Sequence, residues 1–189
     1  MPRDLLKDVA VLQQTLIKDD CYIPGFKNED AADLAHRAHV TASGGQTDAS
    51  LVTDGIARNI GEENEIHEWI SEPMREGGET LTLTWDKPVR VGEVRLTFDP
   101  DLNRTIVISL SSARQKNGGF DIPKELVRDY EVTLSLGGKE TAVQEVRDNY
   151  QRLNVLSFPG VSCDRLDLHV RRTNGDPCAK VFEIGVYGQ

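Results

Sequence analysis

GETLTLTWDKPVRVGEVRLTF, residues 78–98, carries two runs of alternating apolar residues. Leu81, Leu83 and Trp85 alternate with Thr80, Thr82 and Thr84, and Val89, Val91, Val94, Leu96 and Phe98 follow the Lys87-Pro88 break. Side chains two positions apart share one face of a strand, so each run has a face to bury and a face to wet. Threonines on the wet face keep the backbone extended, because branching at Cβ suits a pleated surface. The alternation slips at Gly92, where a bulge is expected. Pro88 cannot donate to a ladder, and WDKPV reads as a hairpin turn.

The same signature recurs on the C-terminal side. Ile106, Ile108 and Leu110 form one apolar series, and Tyr130, Val132, Leu134 and Leu136 form another that ends at Gly137-Gly138. There LGGKET gives a second hairpin. Leu153, Val155, Leu166, Leu168, Val170, Phe182, Ile184 and Val186 complete the set. Short strands at regular spacing, without intervening helices of about 10–15 residues, predict an all-β antiparallel sandwich or barrel. Trp85 reads as core, and Trp69, flanked by Ile66 and Ile70, reads as packing. Residues 111–129 form a long polar connection of the kind that carries binding function.

Upstream the period changes. Leu5, Leu6, Val9, Leu12, Leu16 and Ile17 fall at three- and four-residue intervals, one apolar face of a helix over residues 4–18. Such a face outside a sandwich needs a partner surface. After the Pro24-Gly25 break, KNEDAADLAHRA offers Asn28 as N-cap and acids in the first turn of a short second helix. The chain is therefore divided into a helical extension and linker, residues 1–35, and a β domain, residues 36–189.

Totals limit what this domain does. The 189 residues suffice for one well-buried core, and 38% hydrophobic with 28% charged residues describes a globular chain. No apolar run reaches the roughly 18–20 residues of a membrane span, and the N-terminus lacks the apolar core of a secretory signal. A net charge of -9 argues against a nucleic-acid partner. Compartment is left open. Three cysteines, Cys21, Cys163 and Cys178, have no CxxC spacing; both buried thiols and a Cys163–Cys178 disulfide are compatible with them.

Chemistry-bearing motifs are few. GxGxxG, GxxxxGK[ST] and GxSxG are all missing. His36 and His39 could chelate on a helix but lack further ligands. Glu62, Glu63, Glu65, Glu68, Glu72 and Glu76 read as a solvated loop, since acid–base catalysis needs two carboxylates converging in one pocket; no catalytic set is expected. An Asp-Gly turn among acids suits calcium better, because hard cations take carboxylate and carbonyl oxygens. Tyr150, in RDNYQRLN with Arg147, Asn149 and Arg152, is the best aromatic-plus-polar loop for stacking a sugar.

Taken in order, VTAS, SLVTDG, EWISEP, the 78–98 stretch and KVFEIGVYG resemble a discoidin-like domain, the coagulation-factor type C family. The resemblance covers roughly residues 36–188 and implies a galactose-binding-like jelly roll, an antiparallel β-sandwich. It also implies a calcium ion held by Asp54 of the Asp-Gly turn and Glu183 of the last strand. His67 stands where the family carries Thr or Ser. By the same analogy the ligand loops at one end offer Asp99, Asn103, Arg104, Asn149, Tyr150, Arg152 and Asn174, with Arg able to grip a uronate.

The run LQQTLIKDDCYIPGFKNEDAADLAHRAHVTAS, residues 11–42, with LTFDPDLNR, VRDYEV, NYQRL and TNG, further resembles the C-terminal region of bacterial FAD-dependent oxidoreductases. That implies an accessory module of a larger enzyme which binds no FAD by itself. The expected function is non-catalytic carbohydrate binding, with a flavin domain or a second subunit as neighbour. The alternative is a structural domain that makes interdomain or subunit contacts and binds no sugar.

Overall fold

A computed structural model describes residues 27–59, 66–102 and 121–188. The predicted helix over 4–18, Cys21 and the Ile106–Leu110 series lie outside them. Seven strands follow in order: β1 His39–Ala42, β2 Trp69–Ile70, β3 Glu79–Phe98, β4 Val127–Leu136, β5 Lys139–Val146, β6 Leu153–Thr173 and β7 Lys180–Tyr187. Every pairing is antiparallel. No described helix is long and apolar enough to cross a membrane.

Strands β3 and β6 run through both layers of the sandwich. Their first meeting pairs Glu79–Thr84 with Arg165–Val170, flanked by β1 on one side and β4 then β5 on the other. Their second pairs Glu93–Thr97 with Leu153–Ser157, flanked by β7 and β2. Irregularities separate the two, between Thr84 and Val89 and between Val91 and Glu93. Strands that change layers do so at such irregularities, because a bulge bends and twists the ladder.

WDKPV is thus a bulge, and the predicted hairpin does not form there. Both flanks of Pro88 pair with the same partner strand in the same direction, while Asp86, Lys87 and Pro88 stand exposed outside the ladder. The slip expected at Gly92 is present. At the other predicted hairpin, Leu136 pairs with Lys139 across Gly137 and Gly138, at φ 58° and 77°. Two positive φ values make a two-residue turn whose twist matches the strands, which only glycine adopts without strain.

The core fills the space between the layers. Leu81, Leu83, Leu166, Leu168, Val132 and Leu134 face Val94, Leu96, Phe98, Phe158, Ile184 and Val186, all buried. Each such side chain contributes about 1.5–3 kcal/mol of transfer free energy. Phe98 meets Tyr130 edge to face, centroids 5.1 Å apart. Both tryptophans are plugs: Trp85 donates from Nε1 to Leu34 O at 2.9 Å, and Trp69, fully buried, to Gly44 O at 3.2 Å.

Asn28 does not cap a helix. Among the described residues the nearest helical turn is a 3-10 turn at Leu34–Arg37, capped by Asp33, whose side chain accepts from Ala35 N. Asn28 and Asp30 instead accept from the backbone N–H two residues on, at 3.1 and 2.9 Å. Asx turns of this kind compete with helix and win over so short a segment. Residues 27–35 pack on the sandwich: Lys27 bridges Ile56, Asp33 bridges Tyr187, and Ala35 is buried. Cys163 and Cys178 are both free thiols, the first buried on β6 and the second half-buried before β7, so the pairing left open by the sequence is not made.

Candidate functional site

Asn149 precedes β6 and Asn174 follows it, yet the Asn174 amide donates to Asn149 O at 3.3 Å. A strand whose two flanks touch has folded back on itself. The bend therefore gathers at one end of the sandwich the loops after β3, before β4, on both sides of β6 and before β7. That loop end holds Asp99, Asn149, Tyr150, Arg152 and Asn174, while Asn103 and Arg104 lie outside the described residues.

These residues divide by what their polar atoms already do. Tyr150 is 67% exposed. Asn149, its neighbour, is buried; its Nδ2 donates to Val127 O at 2.7 Å and Gln151 O at 2.9 Å, and its Oδ1 accepts from Gln151 N at 2.9 Å. Asn174 donates to Leu126 O at 3.0 Å as well as to Asn149. Both amides, expected to face a ligand, are instead turned onto backbone groups that the ladder leaves open. Asp99 is buried and accepts from Asp101 N at 2.8 Å, closing its own turn.

A charged cluster combines Asp99 and Arg152 with two residues the sequence did not single out as ligands, Glu68 and Lys180. Glu68 is buried, and one carboxylate oxygen accepts from Asn59 Nδ2 at 2.9 Å. Burial, then the charge of Asp99, pushes its carboxyl up to about 7. Asp99 is likewise raised, chiefly by burial, against the hydrogen bond from Asp101 and the charge of Lys180. Burial disfavours the Lys180 ammonium, but Asp176, 3.7 Å away, with Asp99 and Glu68, holds it above its ordinary value. The Arg152 guanidinium donates to Ala57 O and lies 5.7 Å over the Phe182 ring. Burial lowers its pKa, with Asp99 and Glu183 pulling the other way. Sequence offered little warning of Glu68: it sits beside the inward Trp69, where alternation places it outside.

Arg152 also lines a groove of about 380 Å³ on the outer face of β3 and β7, with Arg95, Thr97, Glu183, Tyr187 and Leu153. Arg95 lies 4.4 Å over the Tyr187 ring and is paired with Glu93. The two residues the resemblance assigns to calcium are both engaged: Asp54 accepts from His67 Nδ1 at 2.7 Å, and Glu183 from Asn28 Nδ2 at 3.2 Å.

A family model described as "Domain of unknown function (DUF7402)" matches residues 33–111. No curated protein matches the sequence. Among solved structures, the lectin domain of lectinolysin in complex with Lewis B antigen is similar at TM-score 0.62 and 15% identity, covering 84% of this chain and 98% of that one. A Streptococcus pneumoniae fucose-binding module is similar at TM-score 0.60 and 13% identity, covering 86% and 99%. The family 32 carbohydrate-binding module of C. perfringens NanJ, solved with galactose, is similar at TM-score 0.57 and 16% identity, covering 82% and 98%. At these identities the likeness shows the fold: an all-β antiparallel sandwich.

Proposed function

We propose that this domain is a non-catalytic carbohydrate-binding accessory module that takes its ligand at the loop end. The observation that carries the reading is Tyr150, 67% exposed, at the same loop end as the buried Asp99 and Glu68 and the half-buried Arg152 and Lys180. A phenol ring offers the apolar C–H face of a sugar both area and polarisability. Arg152, Lys180 and Asp99 supply the donors and acceptors that hydroxyls need. Structural neighbours described as a lectin domain, a fucose-binding module and a galactose-bound module support the ligand class. The resemblance of residues 11–42 to FAD-dependent oxidoreductases supports a place at the C-terminal end of such an enzyme, whose flavin domain would do the chemistry.

The test is a glycan array followed by calorimetry on the best ligand. Wild type binds, and Tyr150→Ala loses at least about tenfold in affinity, the order of one stacking contact. Failure to bind any glycan at millimolar concentration overturns the reading. Leu153 and Val155, each 52% exposed and side by side on one face of β6, favour the docking role as the second reading. Wild type binding no glycan but associating with the flavin domain or with itself through that face would establish it.

A further inference from the structure

Calcium between the Asp-Gly turn and the last strand, as the resemblance implies, does not fit the donors found there. A calcium site needs roughly six to eight oxygens with lone pairs free to converge. Asp54 accepts from Ile56 N and from His67 Nδ1, both at 2.7 Å. The carbonyl of Gly55 accepts from Asn28 N at 2.7 Å, and Glu183 Oε1 faces Asn28 Nδ2 at 3.2 Å. Each of these oxygens already meets an N–H, whose hydrogen repels a cation.

Asn28 closes the junction instead. Its Nδ2 lies 2.9 Å from Asp33 Oδ2, 3.2 Å from Glu183 Oε1 and 3.3 Å from the Tyr187 hydroxyl. Its Oδ1 accepts from Asp30 N at 3.1 Å. Ionised carboxylates only accept, so the nitrogen must be the atom that faces them, and the amide has one consistent orientation. Asp33, only 2% exposed, uses its other oxygen to accept from Ala35 N at 2.9 Å and Val186 N at 2.8 Å.

We infer that the Asn28 side-chain amide takes the place of a cation, drawing the carboxylates of Asp33 and Glu183 together and pinning the entering chain and the Asp-Gly turn to β7 without metal. A neutral amide escapes the desolvation cost of a buried ion. It also attracts carboxylates less strongly; the Arg152 guanidinium lines the same groove as Glu183, and Arg95 lies over the Tyr187 ring.

Thermal melts of the purified protein in EDTA and in millimolar calcium chloride, with calorimetric titration of calcium chloride, test this. Wild type melts at the same temperature in both, within about 1 °C, and gives no binding heat. Asn28→Asp adds a third carboxylate: Tm falls by about 5 °C in EDTA and is regained in calcium, with binding heat. Asn28→Ala melts low in both media. A calcium-dependent rise in the wild-type Tm overturns the inference, as does Asn28→Asp melting in EDTA at the wild-type temperature. Should the variants not fold, the wild-type comparison alone decides.

Discussion

Asn149 and Tyr150 are adjacent in sequence and should respond to truncation in opposite ways. The Asn149 side chain makes three hydrogen bonds, to Val127 O, Gln151 O and Gln151 N, at 2.7–2.9 Å in a buried setting. At about 1 kcal/mol net each, Asn149→Ala costs on the order of 3 kcal/mol, or roughly 6–12 °C in Tm for a chain of this size. Asn149→Asp is no milder, since a carboxylate facing two carbonyls replaces attraction by repulsion. Tyr150→Ala removes an exposed ring and changes stability by less than about 0.5 kcal/mol. Urea unfolding followed by tryptophan fluorescence measures both, because Trp69 and Trp85 are buried and report the transition. Glycan binding, measured well below the unfolding midpoint, should fall for Tyr150→Ala and change little for Asn149→Ala. An Asn149→Ala variant with an unchanged midpoint and abolished binding would refute the reasoning, since the amide would then have to face the ligand.

Glu68 gives a pH signature. Burial and then Asp99 raise its carboxyl from 4.5 to about 7, so the folded chain keeps a proton that the unfolded chain releases. Its contribution is fully present below about pH 4.5 and is lost as pH rises through 7, a change of about 3 kcal/mol. Glu68→Gln should gain about that much on wild type between pH 5 and pH 8 in urea titrations; parallel profiles would exclude a raised carboxyl. Gly55, at φ +84° with Asn28 O only 2.5 Å from where a Cβ would sit, predicts that Gly55→Ala loses about 2–3 kcal/mol by the same assay. The Cys163 thiol is buried and pushed up to about 11, first by burial and then by Asp164. A thiol reagent at pH 8, read by peptide mass mapping, should leave Cys163 unmodified until urea unfolds the chain.

The fold was legible because alternation is a direct image of a two-faced sheet. Leu81, Leu83, Leu96, Phe98, Leu166 and Leu168 are all buried, as the period of two requires. Phase was less secure than period. Leu153 and Val155 belong to the apolar series, but Asn154, Leu156 and Phe158 are the buried positions there and Leu153 and Val155 point outward. Asn154 can turn inward because its amide donates to Gln151 O at 3.0 Å. At WDKPV the proline marked an interruption correctly, but an interruption in a ladder has no direction until its partner is known. Only the shared pairing of Thr84 and Val89 with β6 separates a bulge from a reversal. Glu68 read as solvated because nothing in the local pattern announces that Asn59, nine residues upstream, and Asp99, from a distant loop, converge on it.

Legibility was poorest for the loop asparagines, and the reason also explains where Tyr150 stands. A strand bent back on itself leaves backbone carbonyls open at both ends, beyond the reach of either ladder. An asparagine serves such groups well, since one side chain carries two donors and an acceptor. Asn149 and Asn174 fill that need from the two flanks of β6, reaching Val127 O, Gln151 O and Leu126 O. From sequence, the same amides are equally good partners for a sugar hydroxyl, so residue type alone could not assign them. Asn149 follows Asp148, a non-glycine residue at φ 54°, whose N–H donates to Asp129 Oδ1 at 2.9 Å. Asn149 turns inward and Tyr150, the next side chain, turns outward, as successive residues of an extended stretch do. The ring proposed to meet a sugar thus stands next to an amide engaged by the fold, so the two neighbours answer truncation differently.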